Sequence, residues 1–363
     1  MPSNPLLGAM LTSMLVLGAT AAHAEERFAS YLAQRHQRAL VAVIGDNDGT
    51  ELTDFVIPYA VLKRSGDVDT YAVSTRPGAM RMRPALRLRP EFDAAAFDAR
   101  FPEGADYVIV PAVVHRDDAA LLDWVRAQHA KGAMLLSICD GALVVANTGL
   151  LDGHRATAHW ATESHRRQAY PQITWVANTR YVVDGRLASS AGISAAIPAS
   201  LALLESIVGT EKAREVGAEF GVASWSPEHD SDAFKPHAGN LLALAKVNAT
   251  NKWFHSNERL GLPLVDGVDD VSLALTADAW SRTGRSQAYG VAASKEVRSR
   301  AGLVWLPDTA RASDAKHRID ATQPAAGTPV FDGILGAIQA RYGLSTARGV
   351  AIDFEYPWTP AAR

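Results

Sequence analysis

The chain has 363 residues, 48% of them hydrophobic and 21% charged, with a formal net charge of −3. That length and apolar content support a packed core in two domains, or in one domain with an added module. The near-neutral balance carries no basic face or tail of the kind that would mark a nucleic-acid partner.

Leu6 to Ala22 is an uncharged apolar run, followed by Ala22-His23-Ala24 and Glu25-Glu26. Small residues at the first and third positions of that tripeptide suit cleavage after Ala24. The run is short of the roughly 20 apolar residues a membrane span needs. The expectation is a signal peptide over residues 1–24, an exported (periplasmic or secreted) chain, and no stable membrane span after cleavage. Met1 to Pro5 holds no Lys or Arg, so the positive end of such a peptide is the terminal amine alone. Exported proteins use cysteines in disulfide pairs. Cys139 is the chain's single cysteine, so it is a buried inert thiol, an intermolecular link or a reactive group.

Ala39 to Gly45 reads as a buried strand closed by Gly-Asp-Asn-Asp-Gly, and a helix follows from about Glu51 to Lys63, with Gly66 past its end. Tyr71 to Ser74 is the next strand. Arg81, Arg83, Arg87 and Arg89 form a local basic cluster, read as a solvated surface turn. Asp106 to Pro111 and Ala133 to Ile138 are continuous apolar runs of the kind found in central parallel strands. The helix Asp117 to Ala130 lies between them. Gly141 to Leu151 reads as helix and Thr157 to Trp160 as a return to the sheet. Asp184-Gly185, flanked by apolar residues, predicts a hairpin. Ala195 to Val208 and a segment from Glu211 read as two further helices. Strands alternating with helices at this spacing predict an α/β fold, a parallel sheet sandwiched by helices.

Residues 25–222 are expected to form this domain, residues 223–262 a linker and connecting helix, and residues 263–363 a smaller C-terminal α/β module. His229, Asp230, Asp232 and His237 share the connecting loop, which reads as a polar linker rather than a metal site. No cofactor is expected. The C-terminal portion echoes the first half. Arg64-Ser65-Gly66 precedes Tyr71 at the same spacing as Arg282-Thr283-Gly284 precedes Tyr289, with Asp54 and Asp270 near the starts of the preceding helical segments. Phe331 to Tyr342 reads as a helix and Gly349 to Phe354 as a strand. The tail therefore reads as a shortened second copy, or as chance similarity of two βαβ units, with Phe354 at the elbow position.

Ala133-Met-Leu-Leu-Ser-Ile138 runs directly into Cys139-Asp140-Gly141 and a helix. A nucleophile between strand and helix needs a strained turn and a small neighbour, here Gly141. The N–H groups opening the next helix favour a thiolate and could receive an oxyanion. The block from Ser137 to Trp160 resembles the ThiJ/PfpI superfamily of glutamine amidotransferase-like proteins, in particular the amidase-like domain of AraC-type regulators and isonitrile hydratase. Val183 to Ser194 and Thr53 to Pro58 fit the same pattern. No helix-turn-helix module is visible. The resemblance implies a flavodoxin-like fold with a nucleophile elbow and a homodimer. It also implies that Cys139 is the nucleophile, Asp54 the acid beside it and His159 a nearby base or ion partner. His115 lies at the carboxyl edge of the sheet, where ligands collect. With Asp140 and Gly141 it completes the candidate substrate-binding set. Family branches with His, Thr or Ser after the cysteine differ from this chain, which has Asp140. The functional expectation is a cysteine-dependent hydrolase or hydratase/lyase acting on a small carbonyl, amide or isonitrile compound. The alternatives are a non-catalytic ligand-binding protein and a redox sensor.

Overall fold

The computed structural model describes residue 28 and residues 36–251, 257–310, 317–321 and 329–360; the segment expected as signal peptide lies outside them. The main sheet is built from β1 (Leu40–Gly45), β2 (Asp69–Ser74), β3 (Phe92–Asp93), β4 (Tyr107–Val110), β5 (Met134–Ser137), β6 (Tyr181–Asp184) and β7 (Leu187–Ser190). Their order is β6-β7-β5-β4-β1-β2-β3. Every neighbouring pair is parallel except the hairpin β6/β7, which turns at Gly185. The expected hairpin is thus an edge of the main sheet. The chain leaves β1 towards β2 on one side and returns through β4 on the other. This makes the carboxyl ends of β1 and β4 the switch point of a flavodoxin-like order.

Alternate residues of the central strands face two cores. Val41, Val43, Ile109 and Leu136 pack with α1 (Leu52–Arg64) and the C-terminal region. Leu40, Ala42, Val108 and Leu135 pack with α2 (Ala119–Ala130) and α3 (Gly141–Asn147). Helix α1 is buried from Leu52 through Leu62. A helix apolar all round sits inside, not on a surface. It packs against α4 (Ala196–Val208), which Gly209 joins to α5 (Thr210–Glu219).

The C-terminal region is a second, smaller α/β unit. Strands β8 (Glu258–Pro263), β9 (Ser286–Val291) and β10 (His317–Arg318) form a parallel sheet in the order β9-β8-β10, and α6 (Asp270–Ser281) crosses from β8 to β9. Strand β8 falls in the stretch that composition marked as connecting. Helices α7 (Val330–Tyr342) and α8 (Leu344–Asp353) complete the unit. The strand expected over Gly349 to Phe354 is instead the end of α8. Thr346, Ala347, Gly349, Val350 and Ala351 are its buried residues, spaced as one helical face. Phe354 therefore follows a helix and stands at no elbow.

The arginine cluster also differs from expectation. Met80–Arg83 and Arg87–Arg89 are antiparallel strands of a five-stranded sheet with Asp48–Glu51, Val297–Arg298 and Val304–Trp305. Met80, Met82 and Leu88 are buried while the arginines between them point outward. Period-two alternation explains the pattern. Leu88 pairs with Trp305, so this sheet ties the N-terminal region to the C-terminal one. Among the described residues, no helix is long and apolar enough to cross a membrane.

Candidate active site

Cys139 follows β5 by two residues and has φ +55, the left-handed conformation that a strand-to-helix elbow requires. Its side chain is largely buried. Gly141 is forced by contact: a Cβ there would stand 2.0 Å from the Val110 carbonyl oxygen, on the neighbouring strand β4. The elbow is seated directly on the central sheet.

Cys139 opens onto a cavity of about 450 Å³, also lined by Glu51, Arg83, Arg116, Asp140, His159, Arg282 and Asp353. The backbone N–H of Asp140 donates to the thiol. Burial pushes the thiol well above its usual range, and the charges of Asp54, Asp140 and Glu51 push the same way. The resting sulfur is therefore a thiol, against the lowered pKa that helix α3 alone would give. The first amides of α3 are engaged within the turn: Gly141 N–H donates to Ile138 O and Ala142 N–H to Cys139 O.

Asp54 sits on α1 with no solvent exposure and accepts from the Ala112 N–H at 3.3 Å. Burial, followed by the nearby Glu51, raises its pKa well above the ordinary carboxylate value. Glu51, at the N-terminus of α1, is pushed up to about 8, chiefly by burial and against the pull of Arg282. Asp140 does not cap α3. Its Oδ1 accepts from Thr162 Oγ1 at 2.7 Å.

His159 lines the cavity with both ring nitrogens engaged. Nδ1 accepts from the Ala161 N–H at 3.2 Å, and Nε2 lies 2.9 Å from the Asp353 carbonyl oxygen, to which it donates in the tautomer these partners assign. The ring has no free lone pair for the thiol in this arrangement. His115 stands at the rim, exposed, 2.8 Å from Asp46 Oδ2, and that hydrogen bond raises its pKa. The structure thus brings Cys139, Asp140 and His159 to one cavity, sets Gly141 beneath it, places Asp54 close enough to weigh on the thiol, and leaves His115 outside.

Glu51, Arg83, Arg116, Arg282 and Asp353 also line the cavity and were not among the site residues expected from the sequence. Arg282 bonds Asp278 at 2.5 Å, Asp353 at 2.8 Å and Glu51. Asp278 in turn accepts from Thr53 Oγ1 at 2.8 Å. The signal in the sequence was the Arg-Thr-Gly echo of Arg64-Ser-Gly, which marks Arg282 but not its destination. Behind the cavity, Glu355 has φ +52 and no exposure. Its carboxylate accepts from the Trp160 N–H at 2.8 Å and the Gly192 N–H at 3.2 Å, and meets His229 Nε2 at 3.0 Å. His229 and Asp230 are thus not loose ligands of a linker: Asp230 caps the turn Ser231–Phe234.

An α/β sheet with a cysteine elbow at the carboxyl ends of its strands defines an elbow-cysteine protein of the flavodoxin-like class. Residues 37–206 match the DJ-1/PfpI family. The isonitrile hydratase of Pseudomonas putida is 32% identical over 183 residues, 49% of this chain and 76% of the hydratase. The chain belongs to the DJ-1/PfpI family. The HTH-type transcriptional regulator CdhR of Pseudomonas aeruginosa is 35% identical over 111 residues, which make up 31% of this chain and only 33% of the regulator. The crystal structure of Drosophila melanogaster DJ-1beta superposes with a TM-score of 0.47 at 23% identity, covering 51% of this chain and 99% of that one.

Proposed function

We propose that this chain is an exported, cysteine-dependent enzyme, a hydrolase or hydratase/lyase acting on a small carbonyl, amide or isonitrile compound. The observation that carries the reading is Cys139, held at φ +55 on an elbow that opens onto a cavity shared with Glu51. A carboxyl titrating near 8 is a proton acceptor matched to neutral or mildly alkaline conditions. In the proposed step the sulfur adds to the electrophilic carbon while its proton passes to Glu51, which delivers it to the isonitrile carbon, giving a thioimidate, or to the departing amine or alcohol of an amide or ester, giving a thioester. Water then adds to that carbon, giving one proton through Glu51 to the departing sulfur, so that the free thiol and a formamide or a carboxylic acid are released. Asp54 in its protonated form, which burial favours, is the hydrogen-bond donor for the charge that develops on sulfur. The match to the isonitrile hydratase supports the isonitrile branch of the substrate class.

Turnover is to be measured on a panel of small esters, amides and isonitriles. Cys139→Ala is expected to abolish it. Glu51→Gln is expected to lower kcat by about a hundredfold, the low end of general acid–base contributions. The wild-type rate should rise with pH through about 8 as Glu51 loses its proton, and that rise should vanish in Glu51→Gln. Retained turnover in Cys139→Ala would sink the proposal. A second reading, a ligand-binding or sensing protein without turnover, is favoured by the raised thiol and the engaged His159. It predicts saturable binding of panel compounds with no product.

A further inference from the structure

The echo seen in the sequence extends to packing. The unit β1–α1–β2 recurs as β8–α6–β9, with Arg64-Ser65-Gly66 and Arg282-Thr283-Gly284 closing the two helices. The pair α4–Gly209–α5 recurs as α7–Gly343–α8. Gly209 has φ 90 and ψ 162, and Gly343 has φ 88 and ψ 162. Both glycine amides close the preceding helix onto equivalent carbonyls, Glu205 and Gln339. Leu201, Arg214, Val216 and Phe220 recur in register as Leu335, Arg348, Val350 and Phe354. Chance similarity of two βαβ units does not account for the matched second pair. What the second copy lacks is the middle. Only residues 292–329 stand where the first copy has residues 75–195; β10 lies beside β8 as β4 lies beside β1, and among the described residues there nothing corresponds to β5 or the elbow.

The two copies face each other as subunits of a two-fold dimer do, where residue i meets j and j meets i. Helix α1 packs on α6, its own equivalent. Arg64 bonds Glu219 of its own copy at 2.5 Å and Asp269 of the other at 2.7 Å. Arg282, its equivalent, bonds Asp353 at 2.8 Å and Glu51, the equivalents of that pair in swapped copies. Each guanidinium also covers an equivalent ring, Phe220 at 5.4 Å and Phe354 at 5.6 Å. A cavity of about 300 Å³ between the copies is lined by matching pairs, Ile57 with Leu275, Ile197 with Phe331 and Phe220 with Phe354.

We propose that the C-terminal region is a truncated second copy that takes, within one chain, the place of a second subunit, and that its Arg282 completes the single cysteine site by positioning Glu51. The chain is then a monomer, in place of the homodimer that the family resemblance implies. Of the two symmetry-related arginines only Arg282 faces a thiol, because only the first copy kept its elbow.

Sedimentation velocity on the purified chain across a hundredfold concentration range, with iodoacetamide alkylation of Cys139 followed against pH, tests both parts. One species of single-chain mass is expected; a stable two-chain species would overturn the internal-dimer assignment. Arg64→Met and Arg282→Met should lower Tm by comparable amounts. Only Arg282→Met should slow alkylation at pH 8, by about threefold or more, the effect of half a pKa unit. Arg282→Lys should restore part of the rate. Equal effects of the two variants on alkylation, or none from Arg282→Met, would overturn the positioning role. If Arg282→Met does not fold, Arg282→Lys read against Arg64→Lys gives the same contrast. Neither readout requires turnover, so failure here is separable from failure of the proposed enzyme.

Discussion

Gly141→Ala is expected to destabilise the protein by about 3 kcal/mol or more and to displace Cys139 from its cavity. The added methyl group would lie 2.0 Å from the Val110 carbonyl oxygen and 2.9 Å from the Pro111 carbonyl carbon. Neither atom can yield cheaply. Val110 belongs to β4, buried between β1 and β5, and its carbonyl accepts from the Ile138 N–H. The strain must fall on the elbow, where Cys139 is already held at positive φ. Thermal and chemical denaturation would measure the loss, and alkylation of Cys139 would report the displacement as a change in rate. A variant with unchanged Tm and alkylation rate would show that the elbow is seated less tightly than this geometry requires.

The second large effect concerns Glu355. Glu355→Ala is expected to cost about 3–5 kcal/mol, the range for removing one partner of a buried charged pair. Four donors lose their acceptor at once: the Trp160 and Gly192 amides, His229 and the Ser231 hydroxyl. Burial alone would push the Glu355 pKa up. The hydrogen bond from His229, the nearby His159 and the hydrogen bond from the Trp160 amide together outweigh it, and the net shift is downward. The sign of the pH dependence follows. The lowered pKa stabilises the fold fully above the ordinary carboxylate value of 4.5, and that contribution is lost as pH falls through the lower folded value. Denaturant midpoints against pH should show the wild type losing stability below about 4.5, with a shallower loss in Glu355→Ala, which has already forfeited this contribution.

Much of the fold was legible because it rests on local pattern. The apolar runs that became β1, β4 and β5, the Asp184-Gly185 turn and the strand-to-helix transition at Cys139 all declare themselves within about ten residues. The arginines at 81, 83, 87 and 89 were misread because buried Met80, Met82 and Leu88 alternate with them, and the strand that covers them, Val304–Trp305, lies more than 200 residues away. Gly349 to Phe354 offers an apolar run that suits strand or helix equally, and only the packing of α8 decides it. The same distance hid half of the site. Cys139, Asp54 and Asp140 follow from motif, whereas Arg282 and Asp353 reach the cavity from the second unit, and Glu51 acquires its importance from Arg282. Sequence could suggest that His159 stands near the thiol. It could not show that the backbone at Ala161 and Asp353 takes up both ring nitrogens.

That tie between His159 and Asp353 sets an order of events during synthesis. Residues 353–355 are hydrogen-bonded to His159, Trp160, Gly192 and Ser194, so the wall of the cysteine cavity contains some of the last-made residues described. The elbow's own strands are complete some two hundred residues earlier, and domains fold as they emerge. A nascent chain would therefore carry a folded elbow over an open, unfinished pocket until the tail arrives. The cysteine cannot meet its working surroundings before residues 353–355 have been made.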